Sequence, residues 1–129
     1  MKNIIYLLFV LAVASCGKKE EVQEPLNPEI EVSTPEELVL NGKELFDSKG
    51  NCAACHQPDQ RIIGPSIVEI ATIYRDENAD MVEFLKGNAK PIVDPDQYEI
   101  MKTNFAITKK MSDEELHAIV SYMYSHLIK

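Results

Sequence analysis

The chain lacks the features that mark several large classes of protein. It has no lysine- or arginine-rich run among its 129 residues, and acidic residues outnumber basic ones by 21 to 13. Such a surface repels a phosphate backbone, so we expect no nucleic-acid partner. No internal repeat is visible, and the length suffices for one domain with additional terminal segments. Strand-like alternation is also missing, which predicts an all-α fold.

Cysteine is equally scarce. Cys16, Cys52 and Cys55 are the three in the sequence, and the assignments below use all of them, so no disulfide is needed. A zinc site would need a second pair of ligands at a suitable spacing, whereas Cys16 lies far upstream and His117 and His126 are isolated. A thioredoxin-type dithiol would require a βαβ pattern, which is absent.

The motif that is present runs from Cys52 to His56, with the sequence C-A-A-C-H. This C-x-x-C-H pattern is typical of the attachment site of a c-type haem. Two residues between the thiols let one short helical turn present both sulfurs to one porphyrin edge, where they add across the vinyl groups. The histidine that follows is carried to the face of the ring. We therefore predict one covalent haem, attached through Cys52 and Cys55, with His56 as the proximal iron ligand.

The first fifteen residues predict export. Residues 1–15 have the charged start, the apolar run and the small-residue end of a secretory signal peptide. The apolar run is too short to span a bilayer comfortably. Residues 13–16 resemble the lipobox of bacterial lipoproteins, which implies cleavage before Cys16 and lipid on its thiol and new amino group. An ordinary secreted protein with a chance cysteine at this position is the alternative.

Residues 16–33 predict an acidic flexible linker after the lipidated cysteine. Glutamates and two prolines, Pro25 and Pro28, interrupt a segment with few large apolar residues, and such a segment cannot bury enough surface to order itself. Residues 34–129 form the predicted domain. Covalent haem attachment is typically extracytoplasmic in bacteria, so we expect a membrane-anchored lipoprotein in the periplasm or at the cell surface.

Helix start signals divide this domain. Residues 34–37 (T-P-E-E) and 112–115 (S-D-E-E) both predict capping boxes, at the first and last helices. Ser66 predicts a further helix start, and Asn78 is a candidate for another. A short helix or turn is expected around residues 97–102.

The haem motif, Gly64-Pro65 and the apolar positions after them together resemble the small bacterial class I (monohaem) cytochromes c, over residues 34–129. The resemblance implies four to five helices wrapped around one haem. It also implies that the Pro65 carbonyl accepts a hydrogen bond from His56, which orients the ring and strengthens it as a ligand. Gly42 on the first helix matches the family's close crossing of the terminal helices, as do Phe46 and Tyr122.

A methionine usually supplies the sixth ligand in this family. Met101 and Met111 both precede the last helix, but Met111 lies directly before the predicted N-cap, where a hydrophobic residue packs against Leu116. Met101 lies on a longer loop that resembles the family's ligand segment, so we predict Met101 as the ligand. The family's common Met-Pro-Pro is replaced here by Met101-Lys102-Thr103.

The other candidate ligands are expected to have structural roles or to lie in solvent. Met81 and Met123 fall on the inner faces of predicted helices and are expected in the core. His117 is displaced from the apolar stripe of the last helix and is expected to be solvated. His126 is expected to fray at the chain end.

An iron with both axial positions filled has no open site and exchanges one electron with little rearrangement. Since a thioether favours Fe(II), His/Met ligation raises the potential. We therefore predict a monomeric electron carrier, not an enzyme, that shuttles single electrons between respiratory partners such as an oxidase, a reductase or a cytochrome complex. Two alternatives stay open, namely an accessory subunit of one such partner and a haem-based sensor or gas-binding module with an open or weakly held sixth position.

Two surface features are left open by the sequence. Four lysines near the ligand loop or the attachment motif could form a basic ring that steers an acidic partner, or belong to a mixed solvated surface; they are Lys49, Lys102, Lys109 and Lys110. The candidate partners of the haem propionates are Arg61, Arg75, Tyr98 and Asn104.

Overall fold

A computed structural model describes residues 34–128 of the chain. The predicted signal peptide, Cys16 and the predicted linker lie outside the described residues. Within residues 34–128, no helix is both long enough and apolar enough to cross a membrane.

Helices account for the regular structure of the described residues. The α-helical segments are α1 (Pro35–Asp47), α2 (Ile67–Asp76), α3 (Met81–Leu85), α4 (Tyr98–Met101), α5 (Phe105–Thr108) and α6 (Asp113–Ser125). Short 3₁₀ turns lie at Cys52–Ala54, Pro95–Gln97 and Lys102–Asn104. The last of these joins α4 to α5, so the two form one irregular helix. The described region then has five helical bodies and no strand, which confirms the predicted all-α fold.

The helix starts follow their local chemistry. Thr34 and Glu37 exchange reciprocal bonds at the start of α1, where Oγ1 of Thr34 accepts from the Glu37 amide at 3.2 Å and the Glu37 carboxylate accepts from the Thr34 amide at 2.8 Å. Ser112 and Glu115 repeat this capping box at α6. Ser66 caps α2 by accepting from the amide of Glu69. All three predicted starts are confirmed.

The prediction that Asn78 caps α3 is wrong. Asp80 is the N-cap, and its carboxylate accepts from the amide of Glu83 at 3.0 Å. Asn78 lies two residues earlier with φ of 49°, in the turn that leaves α2. Both residue types suit a helix start, but asparagine also tolerates the left-handed conformation that this turn requires.

The first and last helices cross at Gly42. A Cβ at this position would overlap the carbonyl of Ala118 on α6, so a glycine is needed for the two backbones to approach. One turn further along α1, the ring of Phe46 meets Tyr122 edge-on, with 5.3 Å between centroids. The crossing that the family resemblance implied is therefore present. Leu116 and Ile119 of α6 are almost fully buried beneath it.

His117 of α6 and His126, directly after that helix, have different environments. His117 is exposed, as expected, and its Nδ1 lies 2.7 Å from the carbonyl of Asp113. His126 is not frayed, which corrects the prediction. Its ring packs edge-on against Tyr122 at 4.9 Å between centroids, and burial lowers its pKa. The aromatic contact holds the final turn in place.

Candidate haem-binding site

An apolar cavity of about 210 Å³ lies among the helices. Two stretches of chain contribute most of its lining, and we call residues 51–65 the proximal segment and residues 89–104 the distal segment. All five side chains that the sequence assigned to the haem site line this cavity; they are Cys52, Cys55, His56, Pro65 and Met101. The rest of the lining is mainly aliphatic and aromatic, and includes Phe46, Ile70, Tyr74, Phe84, Leu85, Val93, Tyr98 and Ile119.

Main-chain hydrogen bonds hold the proximal segment. The amides of Cys55 and His56 both donate to the carbonyl of Cys52, at 3.1 and 3.0 Å, which closes the short turn of the motif. The Gly64 amide donates to the Cys55 carbonyl at 2.9 Å, and the Ile67 amide donates to the Gln57 carbonyl at 2.9 Å. These bonds tie the motif to the start of α2 through the backbone alone.

His56 is oriented by Pro65. Its Nδ1 lies 2.7 Å from the Pro65 carbonyl. Because a carbonyl oxygen can only accept, Nδ1 carries a proton, and in the neutral ring Nε2 keeps its lone pair. Burial lowers the pKa of His56; the bond to Pro65 opposes this shift and the charge of Arg61 adds to it. A neutral imidazole with a free Nε2 has the form that binds a metal.

Gly64 leaves room for this ring. A Cβ at Gly64 would lie 2.5 Å from Cε1 and 2.9 Å from Nδ1 of His56, closer than side chains can approach. The Gly-Pro pair therefore contributes both space and a hydrogen-bond acceptor. This agrees with the arrangement that the family resemblance implied.

The two thiols differ in exposure. Cys52 is buried, while Cys55 is half-buried. Burial raises the pKa of Cys52 to about 12, so its thiol is neutral. Within residues 34–128, no three residues among His, Cys, Asp and Glu cluster as a metal site would require. The cysteine pair therefore has no partners there for zinc.

Aromatic packing and side-chain hydrogen bonds position the distal segment. Phe84 of α3, Tyr98 of α4 and Phe105 of α5 pack against one another, with centroids 5.5 to 6.3 Å apart. The side-chain amide of Asn104 donates to the carbonyl of Gly50 at 3.0 Å. Met101, at the end of α4, is half-buried and lines the cavity between these attachments.

The methionines separate into two groups. Met111 is 7% exposed in the core, in the same cluster as Leu116, and it does not line the cavity. Met81 and Met123 are buried in the core, as expected, but they also line the cavity from α3 and α6. The sequence analysis missed this second role, because periodicity places a residue on an inner face without saying whether a helix or a cofactor covers it.

The candidate partners of the haem propionates fall into two groups, those that line the cavity and those that do not. Tyr98 and Asn104 line the cavity, whereas Arg61 and Arg75 do not. Arg75 pairs with its neighbour Asp76 at 2.8 Å. Arg61 pairs with the carboxylates of Glu69 and Asp94.

Exposed isoleucines at the cavity were missed by the sequence analysis. Ile63, Ile92 and Ile100 line the cavity and are 57%, 36% and 53% exposed. They form a partly solvent-facing apolar rim. Their occurrence in or beside proline-containing loops was the signal available, since such loops are usually polar.

Most of the four lysines that could form the basic ring have local partners. Lys49 bonds to both carboxylate oxygens of Glu115, at 2.5 and 2.7 Å, and Lys102 pairs with Glu99 at 3.0 Å. Lys109 lies 5.6 Å from the ring centroid of Phe105. These contacts favour a mixed surface over an unpaired basic ring.

The family follows from a match to known proteins. A family model described as Cytochrome c matches residues 39–126, which is more than half of the chain. The chain belongs to the cytochrome c family. Over 42 residues it is 40% identical to cytochrome c-552 of Nitrosomonas europaea, covering 33% of this chain and 40% of that protein. The chain thus matches less than half the length of this relative.

Membership of the cytochrome c family confirms the predicted cofactor, one covalent c-type haem, and indicates haem-based electron transfer. Cys52 and Cys55 have the spacing that its attachment requires. The residues present fit the group, since one apolar cavity combines two thiols, a neutral imidazole and a thioether. The roles of His56, Pro65 and Met101 toward the iron stay predictions.

Proposed function

We propose that this cytochrome c is an extracytoplasmic electron carrier in which His56 and Met101 are the axial ligands of the haem. The observation that supports this most directly is that a neutral imidazole and a thioether line one apolar cavity, each from a different segment of the chain. When bound, the haem supplies a one-electron Fe(III)/Fe(II) couple.

The side chains tune and protect that couple. The Pro65 carbonyl keeps the Nδ1 proton of His56 in place, so that Nε2 would be the nitrogen available to the iron. The thioether of Met101 favours the reduced metal and raises the potential. If His56 and Met101 both held the iron, the apolar lining would leave water and substrates no position at the metal, and the protein would carry electrons without catalysing a reaction.

Electrons enter and leave through the rim of the cavity. Ile63, Ile92 and Ile100 offer exposed apolar surface there, which suits brief contact with another redox protein. We propose that the partners are respiratory proteins and that the cytochrome works as a monomer. The lipobox-like residues 13–16 support export and a membrane anchor at Cys16.

A gas-binding or sensing function is the second candidate. It is supported by the few hydrogen bonds that join the distal segment to the rest of the described residues, and by Lys102-Thr103 in place of the family's proline pair. A sixth ligand on such a segment can leave the iron more readily, which would open a binding position.

A redox titration followed by CO addition separates these two functions. For an electron carrier, we expect the haem-loaded protein to show one reversible one-electron transition with low-spin spectra in both states. CO should leave the ferrous spectrum unchanged over minutes. Ready CO binding together with a high-spin ferric spectrum would contradict the carrier and favour the sensor.

A further inference from the structure

We infer that Arg61 is a positioning residue that joins the two sides of the haem site and keeps the Met101 segment in place. Its guanidinium bonds to the carboxylate of Glu69 at 3.0 Å and to that of Asp94 at 2.6 Å. We call these three residues the Arg61 bridge. The inference rests on the proposed function, because it concerns Met101 as the sixth ligand.

One end of the Arg61 bridge belongs to the part of the protein that holds His56. Arg61 lies in the proximal segment and forms an isolated β-bridge with His56. Glu69 lies in the first turn of α2, directly after the Gly64-Pro65 pair. The main-chain bonds from Gly64 to Cys55 and from Ile67 to Gln57 connect this part of the chain, so the guanidinium has a fixed support.

The other end of the Arg61 bridge reaches a stretch of chain with few hydrogen bonds to its surroundings. Among the described residues, the bond from Arg61 to Asp94 is the one direct hydrogen bond that links residues 89–97 to chain outside the distal segment. The Asp94 side chain is only 20% exposed, and this residue lines the cavity. Pro91 and Pro95 carry no amide hydrogen, so they cannot replace the bond from the backbone.

Met101 therefore lies between two polar attachments. Asp94 holds the chain before it through Arg61, and Asn104 holds the chain after it through the carbonyl of Gly50. Breaking the first attachment frees the longer, proline-containing part of the segment. Release of Met101 from the iron should then become easier, while His56 stays in place.

The planar fork of an arginine suits this geometry. It can donate to two carboxylates at once, whereas a lysine acts as a point charge on a flexible stem. Since partly exposed ion pairs contribute little to global stability, the expected effect falls on opening of the segment and not on the fold.

The test is the rate at which imidazole replaces the sixth ligand in the ferric, haem-loaded protein. At saturating imidazole this rate reports release of the methionine. We expect Arg61→Gln and Asp94→Asn each to raise it about fivefold, and the double variant to raise it no further than the single ones. Arg61→Lys should lie between wild type and Arg61→Gln.

A matched variant controls for loss of charge. Arg75→Gln removes the other arginine of the domain, which pairs only with adjacent Asp76 among the described residues. It should keep the wild-type rate. Added salt should raise the rate of the wild type but not of Arg61→Gln, because screening weakens the bridge only where it exists.

The outcomes separate this inference from the proposed function. If the wild type shows the far-red methionine-to-iron band but Arg61→Gln and Asp94→Asn keep its rate, the bridge has no positioning role and the proposed ligation stands. If the wild type lacks that band, the proposed ligation fails and the inference fails with it. Should Arg61→Gln not load haem, Asp94→Asn, which leaves the proximal segment intact, decides the question.

Discussion

The proximal and distal segments hold their candidate ligands in different ways. His56 bonds to a backbone carbonyl, in a segment closed by main-chain bonds such as that from Gly64 to Cys55. Met101 lies in a segment attached by side chains, through aromatic contacts and the bonds of Asp94 and Asn104. A ligand fixed by the main chain is insensitive to most substitutions, whereas one held by side chains can be adjusted. We therefore expect substitutions in the distal segment to change ligand strength and potential more than substitutions in the proximal segment.

A glycine substitution in the proximal segment should break this comparison most strongly, and a substitution at Gly87 is its control. In Gly64→Ala, the new methyl would collide with the ring of His56, and we expect a cost of about 1–3 kcal/mol together with reduced covalent haem per protein. In Gly87→Ala, φ of +76° imposes backbone strain of about 1 kcal/mol, but the nearest atoms belong to the flexible end of Lys109. Haem content should be unchanged.

Denaturant unfolding and a haem assay on both variants measure these effects. Equal haem loss in the two proteins would show that the proximal segment is no more constrained than the turn after α3. Full haem loading of Gly64→Ala would show that the position of the His56 ring tolerates displacement.

A smaller effect should come from the ion pair that links Glu115 of α6 to Lys49, two residues before the proximal segment. The bond from Lys49, followed by that from the Ser112 amide, holds the pKa of Glu115 below its usual 4.5. Since the pKa is depressed in the folded state, the pair stabilises the fold above about pH 4.5, and this contribution is lost as the pH falls through the lower folded pKa.

Glu115→Gln should therefore reduce stability near neutral pH, with the difference from wild type shrinking in acid. Glu44→Gln, at an exposed position on α1, is the control and should show no such trend. Unfolding curves between pH 3 and pH 7 would measure it. A difference that stays constant with pH would mean that the substitution acts through the capping box and not through charge.

Features encoded by neighbouring residues could be predicted from the sequence. The C-x-x-C-H turn, the capping boxes and the structural role of Met111 all depend on residues a few positions apart. The position of Met111 directly before Ser112 indicated its structural role, and burial beside Leu116 agrees with it.

Features that depend on distant contacts could not be predicted. Arg61 and Asp94 are 33 positions apart, and nothing in either local sequence indicates their pairing. By contrast, His126 and Tyr122 are only four positions apart, so helical spacing could have predicted their contact. For Asn78 and Asp80, both residue types favour a helix start, and the turn after α2 decides between them.

The most direct test of the account is the far-red absorption band of the ferric, haem-loaded protein in four variants: Met101→Ala, Met111→Leu, Met81→Leu and Met123→Leu. Because Met101 is the proposed ligand, the band should disappear in Met101→Ala and persist in the other three. Persistence of the band in Met101→Ala, or its loss in one of the other variants, would contradict the assignment of the distal segment as the source of the sixth ligand.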